Sequence, residues 1–410
     1  MVNRKQVESV RTALSDTPIV MIVGPRQCGK STLARAADPA REYVTFDDLT
    51  TLGFAKSDPV EFLRSYPGPI TIDEVQRVPE LFLPLKAEID RDRKPGKYLL
   101  TGSANVLHMP KIGDSLAGRI EIVNLLPFSQ GEFTDEPDGF VDALFSTDFT
   151  PSKFSYDTDL FDRVVRGGYP EPSLRKDATR RSAWFASYIA SILDRDIRDI
   201  ANIDALAQMP RLFSLLASRT GTVLNANSLA LEMQIPYTSL KRYLDLLEMI
   251  YLLHRVPAWS STNRGKSFTK APKLYLVDTG LLAHLANHDA KSLAAEPERR
   301  GPVIENFVAM ELKKQATFGK VKPWLMHLRT VRNYEVDFVL ENKRMEVAGV
   351  EVKSTKSLKA TDADGLKFLK EVAGENFRRG VILYHGEEIV RFASDIVGVP
   401  IQTLWATPTP

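Results

Sequence analysis

The chain has 410 residues, 43% of them apolar, with 54 Lys and Arg against 52 Asp and Glu for a net charge of +2. That length calls for two or three domains, each able to bury its own core, and the near-neutral balance confines any basic binding surface to a local patch. A single cysteine, Cys28, excludes a disulfide framework and fits a reducing compartment, six scattered histidines leave no zinc-ligand spacing, and no apolar run is long enough to cross a bilayer. The N-terminal stretch leads into an amphipathic helix rather than a signal segment, so the expectation is a soluble, cytoplasmic protein without a membrane partner.

The first part alternates. TPIVMIVG reads as a buried strand ending in a glycine turn, KSTLARAA as a helix, EYVTFDD as a strand and DPVEFLRSY as a helix. GPITIDEV is a further apolar strand, PELFLPLKAEIDRD a helix and GKYLLTGSAN a strand. Apolar strands alternating with helices predict a mostly parallel, three-layer α/β sheet. From residue 134 to about 156 the periodicity fades into Asp, Pro, Ser and Thr, which reads as a linker. A helical region follows, including RRSAWFASYIASILDRDIRDIA. The stretch after it parses as a helix at 227–233, a turn, a helix at 237–249 and a strand at 252–256, the order of a winged helix-turn-helix. APKLYLVDTGLLAHL reads as strand and helix. The C-terminal part alternates the helix PVIENFVAMELKKQA, several strands, the helix DADGLKFLKEV and two last strands.

GPRQCGKS, residues 24–31, has the G-x-x-x-x-G-K-[ST] spacing between a buried strand and a helix. Glycines let the backbone wrap a phosphate, and the N–H groups with the helix N-terminus favour its charge. Gly24, Pro25, Arg26, Gln27, Cys28, Gly29, Lys30, Ser31 and Thr32 are thus candidate ATP contacts. Lys30 is expected on the β/γ-phosphates and Ser31 on Mg²⁺. Cys28 reads as a small packing residue. Asp73, ending the strand ITID, is the candidate second Mg²⁺ ligand, and Glu74 is placed to orient or deprotonate the attacking water. Thr101, Ser103 and Asn105 end the next strand and could sense the γ-phosphate. Arg119 is a candidate arginine finger, in cis or from a neighbouring subunit, and Arg77 competes for the role.

Residues 1 to about 130 resemble a prokaryotic group of AAA+-type P-loop ATPases, carried by GPRQCGKST, IDEVQRVPEL and TGSAN followed by SLAGR. The rest resembles the C-terminal region fused to that ATPase, through RGGYPEP, YLVDTGLLAHL and EVDFVL followed by GVEVKS. The resemblance implies an ATPase core at 1–133, a linker at 134–160, a helical region with a winged helix at 161–265, and at 266–410 an α/β fold like the restriction endonucleases of PD-(D/E)XK type.

A nuclease of that type needs carboxylates around Mg²⁺ and a lysine near the attacking water. Asp337 and Glu351 fall on strands expected to be antiparallel neighbours, and Lys353 shares the face of Glu351. The resemblance adds Glu305 to the metal set. On the second helix of the winged segment, Thr238, Ser239, Lys241 and Arg242 are candidate DNA contacts. Two readings stay open at this point. One is an ATP-hydrolysing, DNA-associated protein, compatible with an oligomer, whose nuclease-like domain binds DNA under nucleotide control, with Lys353 on the attacking water if it cuts. The other is a nucleotide-dependent switch for a protein partner, with an inactive nuclease-like scaffold.

Overall fold

The computed structural model describes residues 2–103, 116–193, 208–260, 270–331 and 334–410. The chain forms two compact units, one of residues 1–127 with 249–251, the other of 128–248 with 252–410.

The first unit is built on five strands, β1 (Ile19–Val23), β2 (Glu42–Thr45), β3 (Ile70–Asp73), β4 (Tyr98–Gly102) and β5 (Ile120–Asn124). All pair in parallel, in the order β2-β3-β4-β1-β5. Side chains alternate across the pleat, so β1 feeds two cores. Val20 and Ile22 pack with Val10, Leu33 and Ala34 of two helices on one face. Ile19, Met21 and Val23 pack with Phe62, Leu85 and Ile89 on the other. This is the three-layer α/β arrangement the alternation predicts. Because β4 lies between β1 and β3, the glycine turn after β1 and the acids after β3 are one strand apart along the same edge.

The second unit holds a six-stranded mixed sheet. Its strands are β8 (Trp324–Arg329), β9 (Glu335–Glu341), β10 (Val347–Lys353), β11 (Phe377–Tyr384), β12 (Val390–Arg391) and β13 (Ile396–Pro400), in the order β12-β13-β11-β10-β9-β8. β10, β11 and β13 run parallel, whereas β8, β9 and β10 are antiparallel neighbours. Leu366 and Leu369 of the helix Asp364–Ala373 pack on Val336, Val339 and Ile382. Ahead of this sheet, helices Ala226–Met233 and Tyr237–Met249 are joined by a turn in which Gln234 is left-handed (φ 57°), and an antiparallel pair follows, β6 (Leu253–Val256) with β7 (Lys273–Leu276).

Two expected boundaries differ from the observed packing. The stretch read as a linker carries the buried helix Phe140–Ala143, and Asp142 there accepts the backbone N–H groups of Lys320 at 3.0 Å and Val321 at 2.9 Å. Polar composition suggested a solvated loop, but these acids are backbone acceptors inside the fold. The division at 265/266 falls within the β6–β7 hairpin, since Val256 pairs with Lys273. The helix expected from 180 is observed as Ala178–Ser191, and its continuation past 193 lies outside the described residues.

His327 on the edge strand β8 is fully buried, with Nε2 3.0 Å from the Ala271 carbonyl oxygen. Burial, aided by the nearby Lys273 charge and opposed by that carbonyl, lowers its pKa from 6.5 to about 4. A depressed folded-state pKa means the unfolded chain takes up the proton first as pH falls. The contribution is therefore complete above about pH 6.5 and lost by about pH 4, on the order of 3 kcal/mol at most. Urea midpoints of the wild type should drop more steeply across this window than those of His327→Gln, and parallel profiles would refute the assignment.

Candidate functional site

β1 ends at Val23, and residues 24–29 turn into the helix Lys30–Ala37. Two glycines make that turn feasible. A Cβ at Gly24 would stand 2.0 Å from the Leu125 carbonyl oxygen, and Gly29 adopts φ +98°. Behind the loop, Arg4 donates to the carbonyls of Cys28 at 3.3 Å and Leu126 at 2.6 Å. Cys28 is buried with its sulfur 3.4 Å from the Leu125 oxygen, and burial pushes its thiol pKa up, so its environment is that of a packing residue. Pro25 is buried, Arg26 half-buried, and Gln27 and Thr32 exposed around the loop and the first helical turn. The buried Lys30 ammonium donates to the carbonyls of Gly24 at 3.1 Å and Pro25 at 2.8 Å.

Asp73, at the end of β3, is buried and needs partners. Ser31 donates to its two oxygens at 2.9 and 3.1 Å, Thr101 donates to Oδ1, and Thr45 to Oδ2 at 3.4 Å. Tyr43, two residues before Thr45 on β2, joins the group. Its burial and the Asp73 charge push its pKa up to about 12. Glu74 follows in a left-handed conformation (φ 61°), its N–H on Thr101 Oγ1 at 3.1 Å. The Gln76 amide donates to the Glu74 carboxylate at 2.5 Å and to Ser103 Oγ at 2.9 Å. Lys30, Ser31, Asp73, Glu74 and Ser103 therefore meet at one edge of the sheet. A hydroxyl beside a carboxylate is an oxygen donor set that fits Mg²⁺.

The arginines do not join them. Arg119 immediately precedes β5, whose first residue pairs with Ile19, at the opposite end of the sheet from the loop, and it is bound to Asp90 at 2.6 Å. A finger acting in cis is incompatible with that position. Arg77 holds the Phe46 carbonyl at 2.7 Å and Asp47 at 2.8 Å. Asn105 lies outside the described residues. Thr45, Tyr43 and Gln76 were missed from sequence. The polar alternation of EYVT beside an acid-bearing strand was the available signal for the first two.

The C-terminal cluster forms where the antiparallel register Val350 with Phe338 continues to bring Glu351 opposite Asp337. Glu351 Oε2 accepts the Asp337 N–H at 3.3 Å, and Asp337 Oδ2 accepts the Val352 N–H at 3.0 Å. Lys353 Nζ donates to Glu351 at 2.7 Å. Glu305 joins from the helix Pro297–Phe318. The sequence expected Glu305, Asp337 and Glu351 to share a divalent ion. Instead the Lys273 ammonium, brought in by β7, lies 2.9 Å from Glu305, 2.9 Å from Glu335 and 3.1 Å from Asp337. Tyr275 Oη donates to Glu305 at 2.6 Å. Burial and the Asp337 charge raise Glu305 to about 7 and Glu351 to about 8, against the pull of Lys273 and Lys353 respectively. Burial opposes the Lys273 charge, yet Asp337, Glu305 and Glu335 hold its pKa well above the usual lysine value. Among the described residues, no group of three or more His, Cys, Asp or Glu is arranged to hold a metal ion. The donor set does not fit the ion the resemblance implies. Lys273, Glu335 and Tyr275 were missed. A lysine opening the apolar run KLYLV carried the same signal as Asp337 inside its own strand.

On the helix Tyr237–Met249, Leu240, Leu244 and Leu247 are buried, whereas Thr238, Lys241 and Arg242 are exposed and Ser239 is half-buried.

Residues 16–134 match a family model described as an AAA domain. With the parallel sheet and the loop geometry, this makes the N-terminal unit a P-loop module similar to nucleotide-binding AAA-type ATPases. Residues 157–292 and 300–404 match two models described only as domains of unknown function, DUF8612 and DUF4143. Over 409 residues the chain is 29% identical to Uncharacterized protein Rv2008c of Mycobacterium tuberculosis and to Uncharacterized protein Mb2031c of Mycobacterium bovis, covering 98% of this chain and 85% of each relative. Among solved structures, the Walker-type ATPase PABY2304 of Pyrococcus abyssi overlaps with TM-score 0.43 at 16% identity, over 70% of this chain and 96% of that one. A STAND ATPase with a tetratricopeptide repeat sensor from Pyrococcus horikoshii overlaps with TM-score 0.27 at 15% identity, over 78% of this chain and 47% of that one. No helix among the described residues is long and apolar enough to cross a membrane.

Gly24→Ala places a Cβ against a backbone oxygen that cannot swing aside. It should lower the stability of the N-terminal unit by about 1–3 kcal/mol in urea unfolding. An unchanged midpoint would mean that the Leu125 backbone yields to the added methyl group.

Proposed function

We propose that this protein is a Mg²⁺-dependent ATP hydrolase that associates with DNA, and that its C-terminal, nuclease-like fold serves to bind rather than to cut. The observation that carries the hydrolase is the gathering of Ser31, Asp73, Glu74 and Ser103 around the loop that Lys30 closes.

ATP with its Mg²⁺ supplies the scissile phosphoanhydride and neutralises developing negative charge. The loop N–H groups and Lys30 take the phosphate charge, and Ser31 and Asp73 offer oxygens to the ion. Thr101 and Thr45 fix the Asp73 carboxylate, so that it is oriented before substrate arrives. Glu74 accepts the proton of the attacking water. Gln76 is a positioning residue that ties Glu74 to Ser103. Arg119 is a finger in this reading only if it serves another copy of the chain. Glu74→Gln should retain ATP binding while lowering kcat by about 100- to 10,000-fold. Turnover at the wild-type rate would remove Glu74 from the chemistry.

The DNA half of the proposal is supported by the two adjacent helices, the β6–β7 pair that follows them in the chain and the exposed Thr238, Lys241 and Arg242, the order of elements a winged helix needs. In this reading the division of labour is an ATPase module, a winged-helix segment and a nuclease-like fold. A protein neutralising phosphates releases counterions, so its affinity falls steeply with salt. Replacing Lys241 and Arg242 together by Ala should reduce the slope of log affinity against log salt by roughly 2. If the wild type fails to bind duplex DNA at low salt, the second reading stands in its place: a nucleotide-dependent switch for a protein partner. The carboxylate cluster closed by its own lysine is the observation that favours a non-cutting scaffold in either case.

A further inference from the structure

The C-terminal carboxylates raise a question that neither ATP nor DNA binding answers: what compensates their charge. Glu305, Glu335 and Asp337 converge within 3.1 Å of a single ammonium whose side chain is 1% exposed. We infer that Lys273 is the resident cation of this cluster, standing where a divalent ion would have to stand, so that the C-terminal fold takes up no divalent metal.

Most of the carboxylate oxygens are already committed. Glu305 Oε1 accepts both Lys273 and Tyr275, Asp337 Oδ1 accepts Lys273, Asp337 Oδ2 accepts the Val352 N–H, and Glu351 is held by Lys353 and the Asp337 N–H. Mg²⁺ needs oxygens at about 2.0–2.1 Å in near-octahedral array, and it cannot take these while an ammonium lies against the same atoms. Two cations a few ångströms apart in a buried site also repel strongly.

A lysine that could swing out would merely compete with metal, but the backbone of Lys273 is fastened on both sides. It pairs with Val256 of β6 and bridges to Val223. Three residues on, Asn306 brackets the Leu276 peptide, accepting from its N–H at 2.9 Å and donating to its carbonyl at 2.9 Å. Thr220 donates in turn to Asn306 at 2.5 Å. The ammonium is thus delivered by a strand anchored to the same helix, Pro297–Phe318, that supplies Glu305. The arrangement is an internal ion cluster that fastens β7 to the C-terminal sheet.

The test uses the full chain without nucleotide or DNA, so its outcome is independent of the ATPase and DNA assignments. Mn²⁺ is titrated and followed by electron paramagnetic resonance. The wild type and Asp337→Asn should bind Mn²⁺ equally weakly, because the C-terminal cluster is closed in both and the N-terminal loop is the same in both. Lys273→Met, checked for folding by circular dichroism, should gain one Mn²⁺ per chain with affinity at least 10-fold tighter, lost again when Asp337→Asn is added. Its melting temperature, lowered without metal, should recover on adding Mn²⁺. A stoichiometric Mn²⁺ in the wild type that Asp337→Asn abolishes would overturn the inference, as would a folded Lys273→Met that gains none. Should Lys273→Met fail to fold, the comparison of wild type with Asp337→Asn still decides.

Discussion

A carboxylate buried on a strand must be given partners, and both halves of this chain are organised around that demand. Leaving such a group unpaired costs several kcal/mol, a large part of what any domain has to spare. In the N-terminal unit the demand is met by hydroxyls, from Ser31, Thr101 and Thr45 around Asp73. Hydroxyls are neutral, so they bring no compensating positive charge to the carboxylate and leave that part to a cation. In the C-terminal fold the demand of Asp337 is met by an ammonium and a backbone N–H. There the charge is already compensated. The same residue type, buried on a strand of each sheet, is surrounded by neutral hydroxyls in one and by an ammonium in the other.

Much of the first unit was legible because its signals are local. The loop at residues 24–31 contains its own glycines, lysine and serine, and the apolar strand before Asp73 announces the acid that ends it. What could not be read was lateral: that β4 lies between β1 and β3, that Thr45 on β2 reaches Asp73, and that Arg119 sits at the far end of β5. Strand order is decided by packing over the whole sheet, not by any stretch of it. In the C-terminal fold the pairing of the two strands bearing Asp337 and Glu351 followed from a short turn between them. Lys273 did not, because it arrives from a hairpin separated from Asp337 by 64 positions. Its charge at the head of an apolar strand was visible, but its partners were not.

The polar stretch after residue 134 teaches a related lesson. Asp138 and Asp142 look like solvated loop residues, yet Asp138 receives the Ser129 hydroxyl at 2.5 Å and the Gly131 N–H at 3.1 Å, and Asp142 receives two further backbone amides. Short acids are well suited to satisfying backbone N–H groups where no regular ladder exists. Composition alone does not separate an acid facing water from one that replaces a missing secondary-structure partner.

The join between the two units has a practical side. Gln130 donates its N–H to the buried Glu311 at 2.8 Å, and the Phe128 carbonyl accepts the buried Lys314 ammonium at 2.9 Å. Both donors and acceptors belong to the second compact unit, although the AAA family match runs on to residue 134. A fragment cut at the end of that match would therefore carry away residues 128–134, which its C-terminal counterpart needs, exposing the Lys314–Glu311 ion pair. The same chain divided after Pro127 keeps Glu311 and Lys314 with their partners. For anyone dissecting this protein, the border drawn by homology and the border drawn by hydrogen bonds are different places, and the second is the one the fold obeys.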